Sequence, residues 1–391
     1  MSDLIREEDI NLEEFELEGR EAEEIKDLSE LDERDKKELL MAGVDVEEKE
    51  RSGTFFQLNH KSIYCKTCVP QVEVLDIKEA LQKYDGLKEY YWKAMDPNKD
   101  KYTKAVYEKL HGGYFIRTKK GVKLSTPVQS CLFIKGTKVG QNVHNIIVVE
   151  EDSELHIITG CSVAHDVKAA LHLGISEIYI KKGGKLTFTM VHNWAENVYV
   201  RPRTVGIVEE GGVFLNNYIL LKPVKSVQTY PTIYLNGKGA VARFHSVIVG
   251  HPGSYIKSGS RVVLNAPDTK TEIISRAITT GGTIINPGHI IGNAQPAKGH
   301  LECKGLILKD GIIHAIPELE GRVSGVELSH EAAVGKVAQE QIEYLMARGL
   351  DEEEATATIV RGFMNVDIMG LPKELKDAVD KIIEESKEEM F

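Results

Sequence analysis

Glycines that return at a fixed interval constrain this chain more than any other feature of its sequence. Gly183, Gly211 and Gly239 stand 28 residues apart, Gly253 and Gly281 are again 28 apart, and Gly282 to Gly311 is 29. Between them lie short β-branched runs: KLTFTM, VFLNNYI, AVARFHSVI and TIINPGHII. Glycine takes a corner that other residues enter only with strain, and a coil that regains the same corner each time stacks its strands in parallel. Each coil then buries its apolar face on the next. The spacing predicts a mainly β fold built on a parallel β-solenoid over residues 111–317. The alternative is a β-sandwich or jelly roll, with turns every ~8 to 12 residues and hairpin dipeptides. Asn236-Gly237 is the one Asn-Gly pair.

Both ends read as helical. In residues 1–110, Leu28 to Leu40 has apolar positions 28, 31, 39 and 40 among charges, and Ile77 to Trp92 repeats a helical pattern, so this end is expected to be an α-rich domain. The pattern stops at His111-Gly112-Gly113. After Pro317, Ser329 is placed to cap a helix running to Arg348 with Gly349 as its stop; Asp351 and Glu354 form a capping box; Pro372 opens a third helix. Residues 318–391 thus read as a C-terminal helical domain.

Charge and cysteine usage narrow the function. Residues 1–51 hold 21 Asp+Glu against 8 Lys+Arg, or -13, so of the total -11 the remaining residues sum to +2. An acidic end without a basic, aromatic-studded stripe elsewhere argues against nucleic acid and anionic lipid as partners. No run approaches the ~18 apolar residues of a membrane span, and the opening MSDLIREEDINLEEFELEG lacks a signal layout. The expectation is a soluble, cytoplasmic protein. Five cysteines in such a chain are free thiols or metal ligands, not a disulfide framework.

The missing motifs exclude classes. There is no GxxxxGK[ST], and Val334-Gly335-Lys336 lacks both the upstream glycine and the hydroxyl residue, so ATP hydrolysis belongs to another subunit. GxSxG, HExxH and GxGxxG are absent as well. Cys303 lies in HLECKGLI, where strand alternation puts it on a face with Leu301, Gly305 and Ile307. Its ordinary reading is a small core side chain; its functional reading is a thiolate for sulfur or iron, which requires access from solvent or a partner. His330 and Glu331 read as the opening of the first C-terminal helix, where the helix dipole alone favours a carboxylate. Functionally, a thiolate, a carboxylate and an imidazole make a mixed iron site that binds more loosely than four thiolates. Cys65-Lys66-Thr67-Cys68 is the one CxxC, in a loop-like stretch, without the second pair that zinc wants. His192, His245, His251 and His289 read as surface or corner residues, and Cys131 and Cys161 as packing.

Three runs resemble the SufB/SufD family of SUF-type iron–sulfur assembly scaffolds, above all its short archaeal-type members: LHGGYFIRTKKGVKLSTPVQ at 110–129, SRAITTGG at 275–282 and SHEAAVGKVAQEQIEYLMARGLDEEEATATIVRGF at 329–363. The resemblance implies a right-handed parallel β-helix flanked by helical domains, and pairing of members through their β-helix cores, here as a homodimer. It implies an ABC-type ATPase docked on about residues 329–370, a sulfur donor, and apo-protein recipients. By motif position the cluster-building cysteine falls on Cys303 and the His-Glu pair on His330 and Glu331, with iron held through Cys303 and Glu331. Larger members carry an N-terminal motif with three thiols; this chain offers only Cys65 and Cys68 as accessory thiols. Some complexes of the family bind reduced flavin, and nothing in these residues establishes such a site. The protein is read as a scaffold for transient iron–sulfur clusters, not an enzyme. The alternatives are a β-helix carbohydrate-active enzyme, disfavoured by the 7% aromatic content, and a purely structural interaction module.

Overall fold

A computed structural model describes residues 9–19 and 24–364. It is mainly β, a solenoid of about eight turns. Two sheets run along it, one of ten strands and one of twelve. Among the described residues the named strands pair in parallel except for two antiparallel pairs near the N-terminal end, Gly53–Leu58 with Lys61–Thr67 and Val72–Asp76 with Tyr114–Thr118.

The repeated glycines are the corners. Gly183, Gly211 and Gly239 hold φ of +66°, +63° and +70°, where a β-carbon is strained. Each donates its N–H to the coil that follows: Gly183 to Glu210, Gly211 to Lys238, Gly239 to Pro267. At the same corner of the later coils Asn265 donates its side-chain amide to Asn236 at 2.8 Å and Asn293 donates to Asn265 at 2.8 Å. Asn236, the residue with a hairpin reading, therefore begins a ladder between coils.

Side chains that alternate inward form one continuous core. Phe214, Phe244, Ile248, Ile273, Ala277 and Leu301 belong to it, and each large apolar member contributes roughly 1.5–3 kcal/mol by leaving water. The outer faces are covered by the chain ends. Helices α1 (Glu33–Met41), α2 (Ile77–Lys83) and α3 (Lys101–Glu108) precede the main solenoid. The carboxylate of Glu177, on the outer face of the twelve-stranded sheet, accepts backbone N–H groups from Trp92 at 2.7 Å, Ala94 at 2.6 Å and Met95 at 3.1 Å, and pairs with His144 at 2.8 Å. These buried bonds pin the N-terminal region to the sheet.

Both ends differ from the sequence reading. The N-terminal region is not simply α-rich: Gly53–Leu58, Lys61–Thr67 and Val72–Asp76 are strands that join the two sheets. Beyond Pro317 the chain does not turn helical either. Pro317 sits inside the strand Ile312–Gly321, and Val326–Lys336 is the last strand of the ten-stranded sheet. The run SHEAAVGK has helix-favouring Ala, Glu and Lys, but pairing along the whole of Ala297–Ile307 overrides that local preference. Helix α4 (Gln339–Met346) starts ten residues later than Ser329, Gly349 ends that stretch at φ +101°, and α5 (Glu352–Met364) follows. The capping box is as read: Glu354 donates its N–H to Asp351 at 2.7 Å, and Asp351 donates its own to Glu354 at 3.1 Å. Val360 of α5 packs in an outer cluster with Val249, Ile278 and Leu306. The helix expected from Pro372 lies outside the described residues.

Candidate functional site

Cys303 stands on the strand Ala297–Ile307, whose alternation aims Leu301, Cys303 and Gly305 inward and His300, Glu302 and Lys304 outward. Its rung neighbours are Ser275 on the preceding coil and Ala332 on the following one. The side chain is 2% exposed, so the access expected for this thiol is not met in this state. Burial, then the Glu302 carboxylate, pushes the thiol up to about 11 against the pull of Arg276. A protonated thiol at neutral pH is a poor nucleophile and a poor ligand. Only one strand, Val326–Lys336, lies between it and the open end of the solenoid.

His330 and Glu331 are on that last strand and not at a helix start, which removes the helix dipole as their explanation. They stand in register with Leu301 and Glu302. Alternation places His330 on the side of Leu328 and Ala332, toward the lumen, and Glu331 on the outer side. Both are exposed, and among the described residues no further coil covers the strand. Glu331 lies 3.5 Å from the Lys304 ammonium, which is also 3.2 Å from Glu302, and Arg276 pairs with Glu302 from the other side. Burial opposes the charge on Glu302, but Lys304 and Arg276 outweigh it and hold that carboxyl below its usual range. Within one chain, then, Cys303 and Glu331 point to opposite faces of the sheet. Among the described residues no three His, Cys, Asp or Glu side chains converge as a metal site.

The CxxC is not a paired site. Cys65 is in the strand Lys61–Thr67, and Cys68 still donates its N–H to Ser52. Three residue steps of extended chain separate the two by roughly 10 Å, beyond the ~7 Å reach of a disulfide. The Cys65 thiol donates to the Val74 carbonyl at 3.2 Å, and burial, with Glu79 and Asp76, pushes it to about 12. Cys131 and Cys161 are core residues as read. His192 and His245 are buried within strands, contrary to their reading as surface or corner residues, whereas His251 is buried at the corner that follows Val241–Gly250.

Sequence reasoning missed the polar interior beneath Cys303. Ser246 and Ser275 occupy its inward position on the two preceding coils. Ser246 donates to Ser275 at 3.0 Å, and the Asn286 amide, from the opposite sheet, also donates to the Ser275 oxygen. Beside them is an internal cavity of about 50 Å³, lined in part by Met190, Tyr218, Phe244, Ser246, Ser275 and Asn286, with room for at least one water. The signal was in the numbering: Tyr218, Ser246, Ser275, Cys303 and Ala332 follow one another at 28 or 29 residues.

Comparison with known proteins bears on this arrangement. Residues 132–363 match the family profile described as SUF system FeS cluster assembly, SufBD core domain. The chain is 48% identical over 387 residues to an iron-sulfur cluster assembly SufBD family protein of Methanothermobacter thermautotrophicus, covering 97% of this chain and 94% of that one. It is 50% identical over 358 residues to a protein of the same description from Archaeoglobus fulgidus, covering 91% and 96%. It is 33% identical over 315 residues to the iron-sulfur cluster assembly protein SufB of Bacillus subtilis, covering 79% and 67%.

Proposed function

The chain belongs to the SufBD family of iron–sulfur cluster assembly proteins, and from that premise we propose that it is a cytoplasmic scaffold on which clusters are built and handed on, with Cys303 as the sulfur that first holds iron. The observation that carries this reading is the place of Cys303, one rung inside an end of the solenoid that is open among the described residues. Among the described residues Ile312–Gly321 and Val326–Lys336 each pair on one side only, and Ile312, Val323 and Val334 expose apolar surface there. Unpaired edges are templates for another chain. A second copy bonded at this end puts two Cys303 thiols near the junction, with His330 and Glu331 of each copy at its margin. One thiolate per chain with carboxylate and imidazole help gives a loosely held cluster, which a donor needs.

The ATPase partner docks on α4 and α5 in this reading, where Tyr344 and Met346 are exposed. Val337 and Ala338 are all that separate the last strand from α4. Movement of the helices on ATP binding therefore shifts the strand covering Cys303 and favours the state in which sulfide and iron reach it. A sulfur donor and apo-protein recipients complete the cycle. Cys303→Ala is expected to abolish anaerobic cluster reconstitution while leaving thermal unfolding and ATPase binding unchanged. Wild-type visible absorbance in that variant refutes the reading.

A further inference from the structure

On the outer face of the twelve-stranded sheet, where the start of α3 meets it, cations gather around a single carboxylate. In the strands Arg203–Val208, Ser226–Thr229 and Ser260–Leu264 the core residues Val208, Val227 and Val262 point inward, so Arg203, Gln228 and Arg261 point outward. Arg203 donates its Nε to Asp100 at 2.6 Å and one Nη to the Pro202 and Gln228 carbonyls at 3.0 and 3.1 Å; its other Nη has no partner among the described residues. Asp100 also accepts the N–H groups of Tyr102 and Thr103. Lys99, next to that aspartate, is exposed at the margin and makes no ion pair among the described residues. Its ammonium is nonetheless lowered, first by the atoms crowding it and then by Arg203, with Arg261 adding to the effect and Asp100 offsetting only part. On the far side His289 is in register with Arg261 and draws Glu320 to 2.8 Å and Glu318 to 3.6 Å.

Two donors beneath these charges are unpaired. Gln228 is 5% exposed and its side-chain amide nitrogen has no hydrogen-bond partner. The Arg261 Nε is buried without one as well, and its guanidinium makes no ion pair among the described residues. A buried donor left unpaired is costly, and native proteins seldom keep one that nothing meets. Here both sit among cations, so what they lack is an acceptor that is also an anion. Lys99, Arg203 and Arg261 against Asp100 leave a surplus of two positive charges, to which the buried Arg201, bonded to Ser226, adds. A phosphoryl group brings close to two negative charges at neutral pH and acceptor oxygens on several sides, and arginine forks match its geometry.

We infer that this cluster is a binding site for a phosphoryl group, free or carried on a small organic molecule, with Lys99, Arg203 and Arg261 supplying the charge and the Gln228 amide donating from below. The ligand bridges the start of α3 to three strands of the sheet and so ties the N-terminal region to the solenoid. The inference does not depend on the reading of Cys303.

The test titrates the full chain with inorganic phosphate and, separately, with phenyl phosphate by calorimetry at pH 7.5, with ionic strength held constant by chloride. One saturable site is expected; tighter binding of phenyl phosphate assigns an ester as the ligand, and tighter binding of phosphate assigns the free ion. Arg261→Gln is expected to weaken the affinity about tenfold, as loss of a charged hydrogen bond does. The more exposed Lys99→Met should weaken it about threefold. Gln228→Met should weaken it about tenfold while leaving the unfolding temperature in phosphate-free buffer no lower, because it removes an amide that only the ligand meets. Lys120→Met, at a surface lysine paired with Glu151, should leave the affinity unchanged. No saturable binding of either probe by the unaltered protein overturns the inference, as does equal weakening in Lys120→Met, which marks general charge attraction. Unchanged affinity in Arg261→Gln also overturns it; if that variant does not fold, unchanged affinity in Lys99→Met and Gln228→Met does so.

Discussion

The middle of the solenoid and its last rung are built from the same strand geometry, yet they hold their side chains very differently. Ile248 has Leu220 on one side and Ala277 on the other and is fully buried. Val334 occupies an equivalent inward position, is paired only with Gly305, and is 41% exposed. Alternation and strand length do not separate the two; the number of neighbouring coils does. In a stacked repeat, stability is carried by contacts between neighbours, so the terminal coil is the loosest. Cys303, one rung in, is buried like a middle residue but covered like an end one.

The largest expected effect lies in the middle. Ile248→Ala should cost about 4 kcal/mol, within the range for emptying a packed isoleucine site, read from denaturant unfolding. Val334→Ala should cost under about 1 kcal/mol in the same assay, its main effect being weaker self-association in sedimentation. Equal losses at the two positions break the comparison.

Acid should separate the regions next. His111 is held down to about 4 by burial and by the neighbouring His60; it accepts the Asn142 N–H and bonds the Leu17 carbonyl. The folded state keeps it neutral while the unfolded chain takes up a proton below about 6.5. Its contribution, about 3 kcal/mol at most, is therefore complete above pH 6.5, lost as pH falls through 4, and not reduced further below that. Hydrogen exchange at pH 7 and pH 5 should show lost protection around residues 109–142, with the last three coils unchanged. Equal loss in both places contradicts this.

The smallest effect is at the rim. Lys304→Met removes the ion pairs with Glu331 and Glu302, the latter keeping Arg276, and should change stability by no more than about 1 kcal/mol. A larger loss in thermal unfolding means that the last strand is held by more than its ladder.

How much of this was legible depended on whether a residue's role is periodic or local. The corner glycines, the mainly β class, the inward aim of Cys303 and the capping box at Asp351 all follow from spacing or from a motif a few residues long. The strand Val326–Lys336 was not legible, because its Ala-rich composition favours a helix and its strand character comes from the coil beneath. The stretch around the CxxC reads as a loop for a similar reason: its strand character up to Thr67 comes from pairing with Gly53–Leu58. Ser275 and Asn286 carry no motif at all. Using the coil length as a ruler from Cys303 reaches Ser275, but Asn286 crosses from the other sheet, and only the folded chain brings it there.

The final strand has one more property. It closes the compartment over the thiol and is joined through two residues to the helices that follow. Lid and handle are one piece of polypeptide, so force applied outside reaches the closure along covalent bonds and has a single row of backbone hydrogen bonds to undo. An interior rung would resist with two. Under the function proposed above, the sulfur stays shielded at rest and a short pull on the helices uncovers it, while the stack below stays intact for the next round.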